Sequence, residues 1–86
     1  MIMTYPNIDM TETGLKLKRY MDQAGMSVKD IQNTLHLSCP QPIYRWINGK
    51  VLPSVDHLLM LSELFDVHME ELLVKKQTIS ALYDIQ

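Results

Sequence analysis

Apolar residues near the middle of this 86-residue chain recur at helical spacing. The pattern begins after Ser27, whose hydroxyl can cap the free N–H groups at the start of a helix. Val28, Ile31 and Leu35 then lie on one side of that helix. His36 falls in the turn that follows, where a residue tolerant of positive φ is needed. The pattern predicts a short helix that ends in a tight turn.

A second short helix follows almost immediately. Ser38 is predicted to cap it, and Pro40 and Pro42 suit its first turn, where a missing N–H costs least. Gly49 is predicted to end it, because glycine readily adopts the left-handed conformation. Its apolar face comprises Ile43, Trp46 and Ile47, and its polar face comprises Gln41, Tyr44, Arg45 and Asn48. Two short helices joined by so tight a turn predict a helix-turn-helix unit.

Three further helices are predicted around this unit. One begins at Thr11 or Thr13 and ends at Gly25, and another opens at Ser54. A last short helix spans residues 69–73, with His68 at its cap position. The predicted core contains Leu17, Ile31, Leu35, Ile43, Trp46, Leu58, Leu61 and Phe65. The predicted fold is therefore all-α, with five helices.

The chain divides into one domain and two flanking segments. Residues 1–12 are predicted to form an N-terminal arm, residues 13–74 the domain, and residues 75–86 a tail. The tail carries apolar residues, partly at helical spacing: Ile79, Leu82, Tyr83 and Ile85. Two interpretations of the tail remain open, packing on the core or a second subunit, and disorder.

The net charge of −2 is distributed unevenly along the chain. Residues 11–52 carry a balance of +3, whereas residues 53–86 carry −4. The first part of the chain could therefore meet a polyanion while the second keeps the molecule soluble. The alternative is that these charges form an ordinary solvated surface.

Several function classes find no support in the sequence. No stretch reaches the roughly 18 apolar residues of a membrane span, and the start lacks the pattern of a signal peptide. A single cysteine predicts a reduced, cytoplasmic setting. Cys39 as a redox sensor and a metal site involving His36 and His57 are both weaker interpretations than structural roles. No catalytic constellation stands out, so we predict neither enzyme activity nor a cofactor.

Three motifs between Thr13 and Leu73 together resemble one family. They are Ile43-Tyr44-Arg45-Trp46-Ile47-Asn48-Gly49-Lys50, then Leu52-Pro53-Ser54, then the leucine-rich segment from Leu58 to Leu73. They resemble the helix-turn-helix domains of the phage-repressor type (lambda repressor and Cro, or XRE-like). The resemblance implies a compact lambda-repressor-like domain that binds double-stranded operator DNA as a homodimer and regulates transcription.

The chain departs from the family pattern at four places. Val28 replaces a glutamine that commonly contacts phosphate, and Gln32 replaces a small residue between the second and third helices. The turn extends by one residue through Cys39 and Pro40. Met21 and Ile47 stand where many members carry an Arg–Glu pair. Since both partners have become apolar, no lone buried charge remains, and we expect the two side chains to touch.

The resemblance assigns candidate roles to the third helix and its surroundings. Gln41 can read adenine, Arg45 can read guanine or hold a phosphate, and Tyr44 can stack or contact a thymine methyl group. Each could instead be an exposed polar residue without such a role. Contacts to the DNA backbone are expected from Ser27, Lys29, Ser38, Asn48 and Lys50.

Three functions follow as hypotheses. The first is a sequence-specific transcriptional regulator, a repressor. The second is the antitoxin of a toxin–antitoxin pair, which would hold a toxin through its terminal segments. The third is a helical protein–protein adaptor without DNA binding. Salt-dependent binding to DNA would separate the first two from the third.

Overall fold

Four α-helices and one short 3₁₀ helix make up the part of the protein that the structure describes. The structure is a computed structural model that describes residues 7–76. The helices are α1 (Met10–Ala24), α2 (Val28–Thr34), α3 (Gln41–Ile47), α4 (Val55–Phe65) and a 3₁₀ helix (Met69–Leu72). The all-α prediction is confirmed. The predicted fifth helix is a single 3₁₀ segment of 4 residues rather than an α-helix.

Helix α1 begins earlier than its hydrophobic pattern predicts. The sequence indicates a start at Thr11 or Thr13, whereas the helix begins at Met10. The reason is Asp9, whose carboxylate accepts the backbone N–H three residues later at 3.0 Å and so caps the helix. At the other end, Gly25 has φ 68° and ends the helix as predicted.

The helix-turn-helix unit forms with one correction to its predicted caps. Ser27 caps α2 through its hydroxyl, and His36 adopts φ 56° in the turn, both as predicted. Ser38 does not cap α3, so that prediction is wrong. Pro40 occupies the cap position, and its carbonyl oxygen accepts the N–H groups of Ile43 and Tyr44 at 3.0 and 3.3 Å. Helix α3 therefore starts without a side-chain cap.

A single cluster of apolar side chains joins the helices. Its buried members are Leu17, Met21, Ile31, Leu35, Ile43, Trp46, Leu61 and Leu72. Six of the eight predicted core residues are among them. Leu58 and Phe65 are only partly buried against the cluster, and Phe65 stacks on Tyr20 with ring centroids 5.6 Å apart. The buried face of α3 is therefore continuous with the core of the domain.

Two glycines allow α1 to approach the end of α3 closely. A Cβ atom on Gly14 would lie 2.6 Å from the carbonyl oxygen of Trp46, closer than real Cβ contacts. A Cβ atom on Gly49, which has φ 73°, would lie 3.0 Å from the Cα atom of Thr11. The first turns of α1 therefore pack directly on the backbone of α3 at its C-terminal end.

The two ends of the described chain pair with each other. The Asp9 N–H donates to the Val74 carbonyl at 2.7 Å, and the Lys76 N–H donates to the Asn7 carbonyl at 2.7 Å. The buried Thr13 hydroxyl accepts the Val74 N–H at 3.0 Å. We call this pairing of residues 7–9 with residues 74–76 the terminal clasp. The clasp holds residues 74–76, where the predicted tail begins, beside residues 7–9 of the predicted arm and the first turn of α1.

The structure describes only part of the predicted arm and tail. Residues 10–12 belong to α1, and residues 7–9 belong to the terminal clasp. The rest of the arm, residues 1–6, and residues 77–86 of the tail lie outside the described residues. Within residues 7–76, no helix combines the length and the apolar character needed to cross a membrane.

Candidate nucleic-acid interface

Helix α3 separates its buried and exposed residues cleanly. Ile43 and Trp46 are 0% and 5% exposed and face the core. The predicted polar face, Gln41, Tyr44, Arg45 and Asn48, is exposed along its length. Within residues 7–76 none of these four side chains makes a hydrogen bond or a salt bridge with another residue. The face therefore offers free donors and acceptors to a partner.

Contacts on the buried side fix the position of α3. The ring of Trp46 lies against the ring of His57 from α4, with centroids 5.4 Å apart. The carbonyl oxygens at the end of α3 meet Gly14 of α1. The helix is thus supported by two neighbouring helices, which restricts its movement relative to the core.

Gln32 has a structural role that the sequence did not reveal. The family usually has a small residue at this position, and the spacing gave no function for an amide there. In the structure Gln32 is half-buried, and its side-chain amide donates to the carbonyl of Leu37 at 3.3 Å. That bond ties α2 to the turn that leads into α3. The replacement of the family's small residue by an amide was the signal available in the sequence.

A reciprocal pair of hydrogen bonds closes the start of α2. The Ser27 hydroxyl accepts the Asp30 N–H at 3.1 Å, and the Asp30 carboxylate accepts the Ser27 N–H at 2.9 Å. The bond from the Ser27 backbone N–H, together with one from its side chain, lowers the pKa of Asp30 below its ordinary value. Lys29 is exposed beside this pair. The backbone N–H and the side chain of Ser27 are thus both engaged with Asp30.

The segment after α3 places two more predicted contact residues on the surface. Asn48 ends the helix, and the Lys50 N–H returns to the carbonyl of Arg45 at 2.9 Å. The side chains of Asn48 and Lys50 are both exposed. Ser38 is also exposed, in the bend before α3. The structure thus groups Gln41, Tyr44, Arg45, Asn48 and Lys50 on α3 and the turn that follows it.

Three cations of this region are not engaged in ion pairs with other residues in the range 7–76. The salt bridge within residues 7–76 joins Lys18 and Asp22 on α1 at 2.7 Å. Lys29, Arg45 and Lys50 make none with any residue in that range. Among the same residues, no group of three or more His, Cys, Asp or Glu side chains could hold a metal ion. The exposed Cys39 is a free thiol.

Two short helices joined by a tight turn form a helix-turn-helix unit, and the second of them exposes a polar face that pairs with no other residue in the range 7–76. A family model described as the Cro/C1-type HTH DNA-binding domain matches residues 16–83. The chain belongs to this family. A comparison with curated proteins gives no significant match.

Solved structures show the same fold. The restriction-modification controller protein C.AhdI from Aeromonas hydrophila is 20% identical, with a TM-score of 0.66 over 74% of this chain and 96% of that chain. The DNA-binding domain of BldD is 21% identical, with a TM-score of 0.62 over 76% and 93%. The BldD DNA-binding domain from S. venezulae is 22% identical, with a TM-score of 0.61 over 74% and 94%.

Proposed function

We propose that this protein is a sequence-specific regulator of transcription, a repressor, that binds double-stranded operator DNA as a homodimer through α3. One observation carries the proposal: α3 buries Ile43 and Trp46 and exposes an opposite face whose polar side chains pair with no other residue in the range 7–76. An α-helix fits the major groove of B-DNA, where base edges present distinct donors and acceptors. Membership of a DNA-binding family supports this assignment.

Reading of the bases falls to the outward residues of α3. The Gln41 amide can bond adenine through two atoms, and the Arg45 guanidinium can do the same with guanine. Tyr44 is 50% exposed and can stack against a base or contact a thymine methyl group. Pro42 contributes no N–H, so it shapes the start of the helix instead of donating to DNA.

Attachment to the DNA backbone falls to residues at both ends of the unit. Lys50 and Asn48 follow α3, while Lys29 and the hydroxyl of Ser27 lie at the start of α2. Ser38 lies in the bend between the two helices. Phosphate contacts of this kind set the register of a protein on the duplex without reading its sequence. Because Lys29, Arg45 and Lys50 form no salt bridge within residues 7–76, their charges are available to a polyanion although the net charge of the chain is −2.

Two copies are needed for a specific operator. A single helix of 7 residues contacts only a few base pairs. A homodimer would place two such helices in successive major grooves, about 34–36 Å apart. A bound dimer would occupy its operator and exclude the transcription machinery, as expected of a repressor. C.AhdI, a restriction-modification controller protein, and the DNA-binding domain of BldD share the fold and are consistent with a DNA-binding controller.

The test begins with selection of bound duplexes from random DNA, followed by affinity measurements at several salt concentrations. Arg45→Ala should weaken operator binding by about 1–3 kcal/mol and relax preference at one base pair. Lys50→Ala should weaken all duplexes alike and reduce the salt slope by about one unit for each bound subunit. Lys18→Ala, which removes a lysine already paired with Asp22, is the matched control.

Absence of duplex binding above background at low salt would contradict the proposal. So would binding that neither Arg45→Ala nor Lys50→Ala alters. Either result would favour the adaptor hypothesis.

A further inference from the structure

The two lysines of the terminal clasp, Lys75 and Lys76, belong by sequence to the acidic half of the chain. They are the basic residues among residues 53–86, where the charge balance is −4. The sequence therefore gave them no part in binding a polyanion. In the structure the two lysines lie near the start of α1, because the clasp pairs their backbone with residues 7–9.

A short series of contacts connects these lysines to the end of α3. The Cβ position of Gly49 lies 3.1 Å from the carbonyl oxygen of Met10. The next residue towards the N-terminus, Asp9, bonds the Val74 carbonyl through its own N–H at 2.7 Å. Summed along standard bond lengths, this path places the backbone nitrogen of Lys75 within about 18 Å of the Gly49 Cα atom. Gly49 itself lies between Asn48 and Lys50.

Both lysine side chains are available for contact. Lys75 and Lys76 are exposed, and neither forms a salt bridge with any residue in the range 7–76. Two nearby carboxylates are engaged by backbone groups. Asp9 accepts the N–H of Glu12 at 3.0 Å, and Glu71 accepts the N–H of His68 at 2.9 Å. The clasp also fixes the backbone that carries the lysines, so holding them near DNA costs less chain entropy than in a free tail.

We propose that Lys75 and Lys76 contact the phosphate backbone of the same duplex that α3 reads, as an extension of the attachment made by Asn48 and Lys50. The inference rests on the proposed function. Successive phosphates of one strand advance by about 3.4 Å along the helix axis, so a distance of up to about 18 Å corresponds to at most about five nucleotides. The terminal clasp thus serves as a second attachment point for the DNA backbone.

The experiment measures operator affinity against salt concentration for the full-length protein and for Lys75→Gln, Lys76→Gln and the double variant. These substitutions remove charge but keep the backbone N–H groups of the clasp. Each single variant should reduce the salt slope by about 0.9 per subunit, which is about 1.8 for the bound dimer, and the double variant by twice as much, with base preference unchanged. Lys18→Gln on the exposed side of α1 is the matched control and should leave the slope nearly unchanged.

Three results would overturn the inference. An unchanged slope in the double variant, with normal operator binding, would remove the lysines from the interface and leave the proposed function intact. An equal loss in the Lys18→Gln control would show a general effect of net charge instead of local contacts. A parent protein that binds no duplex would overturn the inference together with the proposed function.

Discussion

Gly14 of α1 lies against the carbonyl oxygen of Trp46 at the end of α3, at a separation that leaves no room for a side chain. A Cβ atom at Gly14 would be 2.6 Å from that oxygen and 2.9 Å from the carbonyl carbon of Ile47. Both obstacles are backbone atoms, so rotation of a side chain cannot relieve the clash. The position of α3 therefore depends on a glycine in a different helix.

Gly14→Ala should destabilise the protein, although alanine is the better helix former. Helix propensity alone predicts a gain of about 1 kcal/mol, whereas overpacking typically costs about 1–3 kcal/mol. Because the clash is with backbone, we expect the loss to prevail. Urea unfolding measures the balance. Gly25→Ala, where a Cβ meets nothing within 4 Å but φ is 68°, is a control for backbone strain alone. Stabilisation by Gly14→Ala would contradict the close packing.

Met21→Arg should destabilise the protein, because Met21 is 2% exposed and would bring a charge into the core. Adding Ile47→Glu should recover part of the loss if the two side chains touch, as the family pattern implies. The double variant would recreate the ion pair that many family members carry. Thermal unfolding of the parent, both single variants and the double variant gives the coupling energy. Strict additivity would argue against the contact.

Thr13→Val should loosen the terminal clasp. The substitution keeps the shape of the side chain but removes the hydroxyl that accepts the Val74 N–H at 3.0 Å. A partly buried N–H would lose its partner, at a cost of about 1–3 kcal/mol. Thr34→Val, which removes an exposed hydroxyl bonded to the Asp30 carbonyl at 2.8 Å, is the matched control and should cost less. Faster hydrogen exchange at the Val74 amide should accompany the loss, and unchanged exchange would contradict it.

The hydrogen bonds of Asp30 make stability depend on pH in the acid range. Since its pKa is lower in the folded protein than in the unfolded chain, ionised Asp30 favours folding. This contribution is complete above the unfolded pKa of about 3.9 and is lost as pH falls through the lower, folded value. The stability difference between the parent and Asp30→Asn should therefore shrink below about pH 4. A difference that stayed constant down to pH 2 would contradict this assignment.

Local patterns predicted much of the fold. Spacing alone placed Ile43 and Trp46 in the core, because a helix with one apolar face has a single favourable way to pack. The Ser27 cap and the positive φ of His36 followed from local backbone chemistry. Ser38 was wrongly assigned as a cap because its preference for that position is statistical, whereas Pro40 fixes the backbone at the start of α3.

Local patterns could not predict the features that join distant parts of the chain. The interior glycine in the predicted first helix could have indicated close packing, but not its partner. The exposed face of α3 followed from helical spacing, while the functions of its residues rest on family resemblance and chemistry. Nothing local linked Lys75 and Lys76 to the first turn of α1, since that relationship exists only after folding.

The terminal clasp also has a consequence for the order of events in folding. The adjoining bond between Thr13 and Val74 joins residues 61 positions apart, so formation of the clasp must close a loop that contains nearly all of the described chain. Closing a loop of that length costs more entropy than bringing neighbouring helices together. We therefore expect the clasp to form late in folding, after α1 has packed against α3.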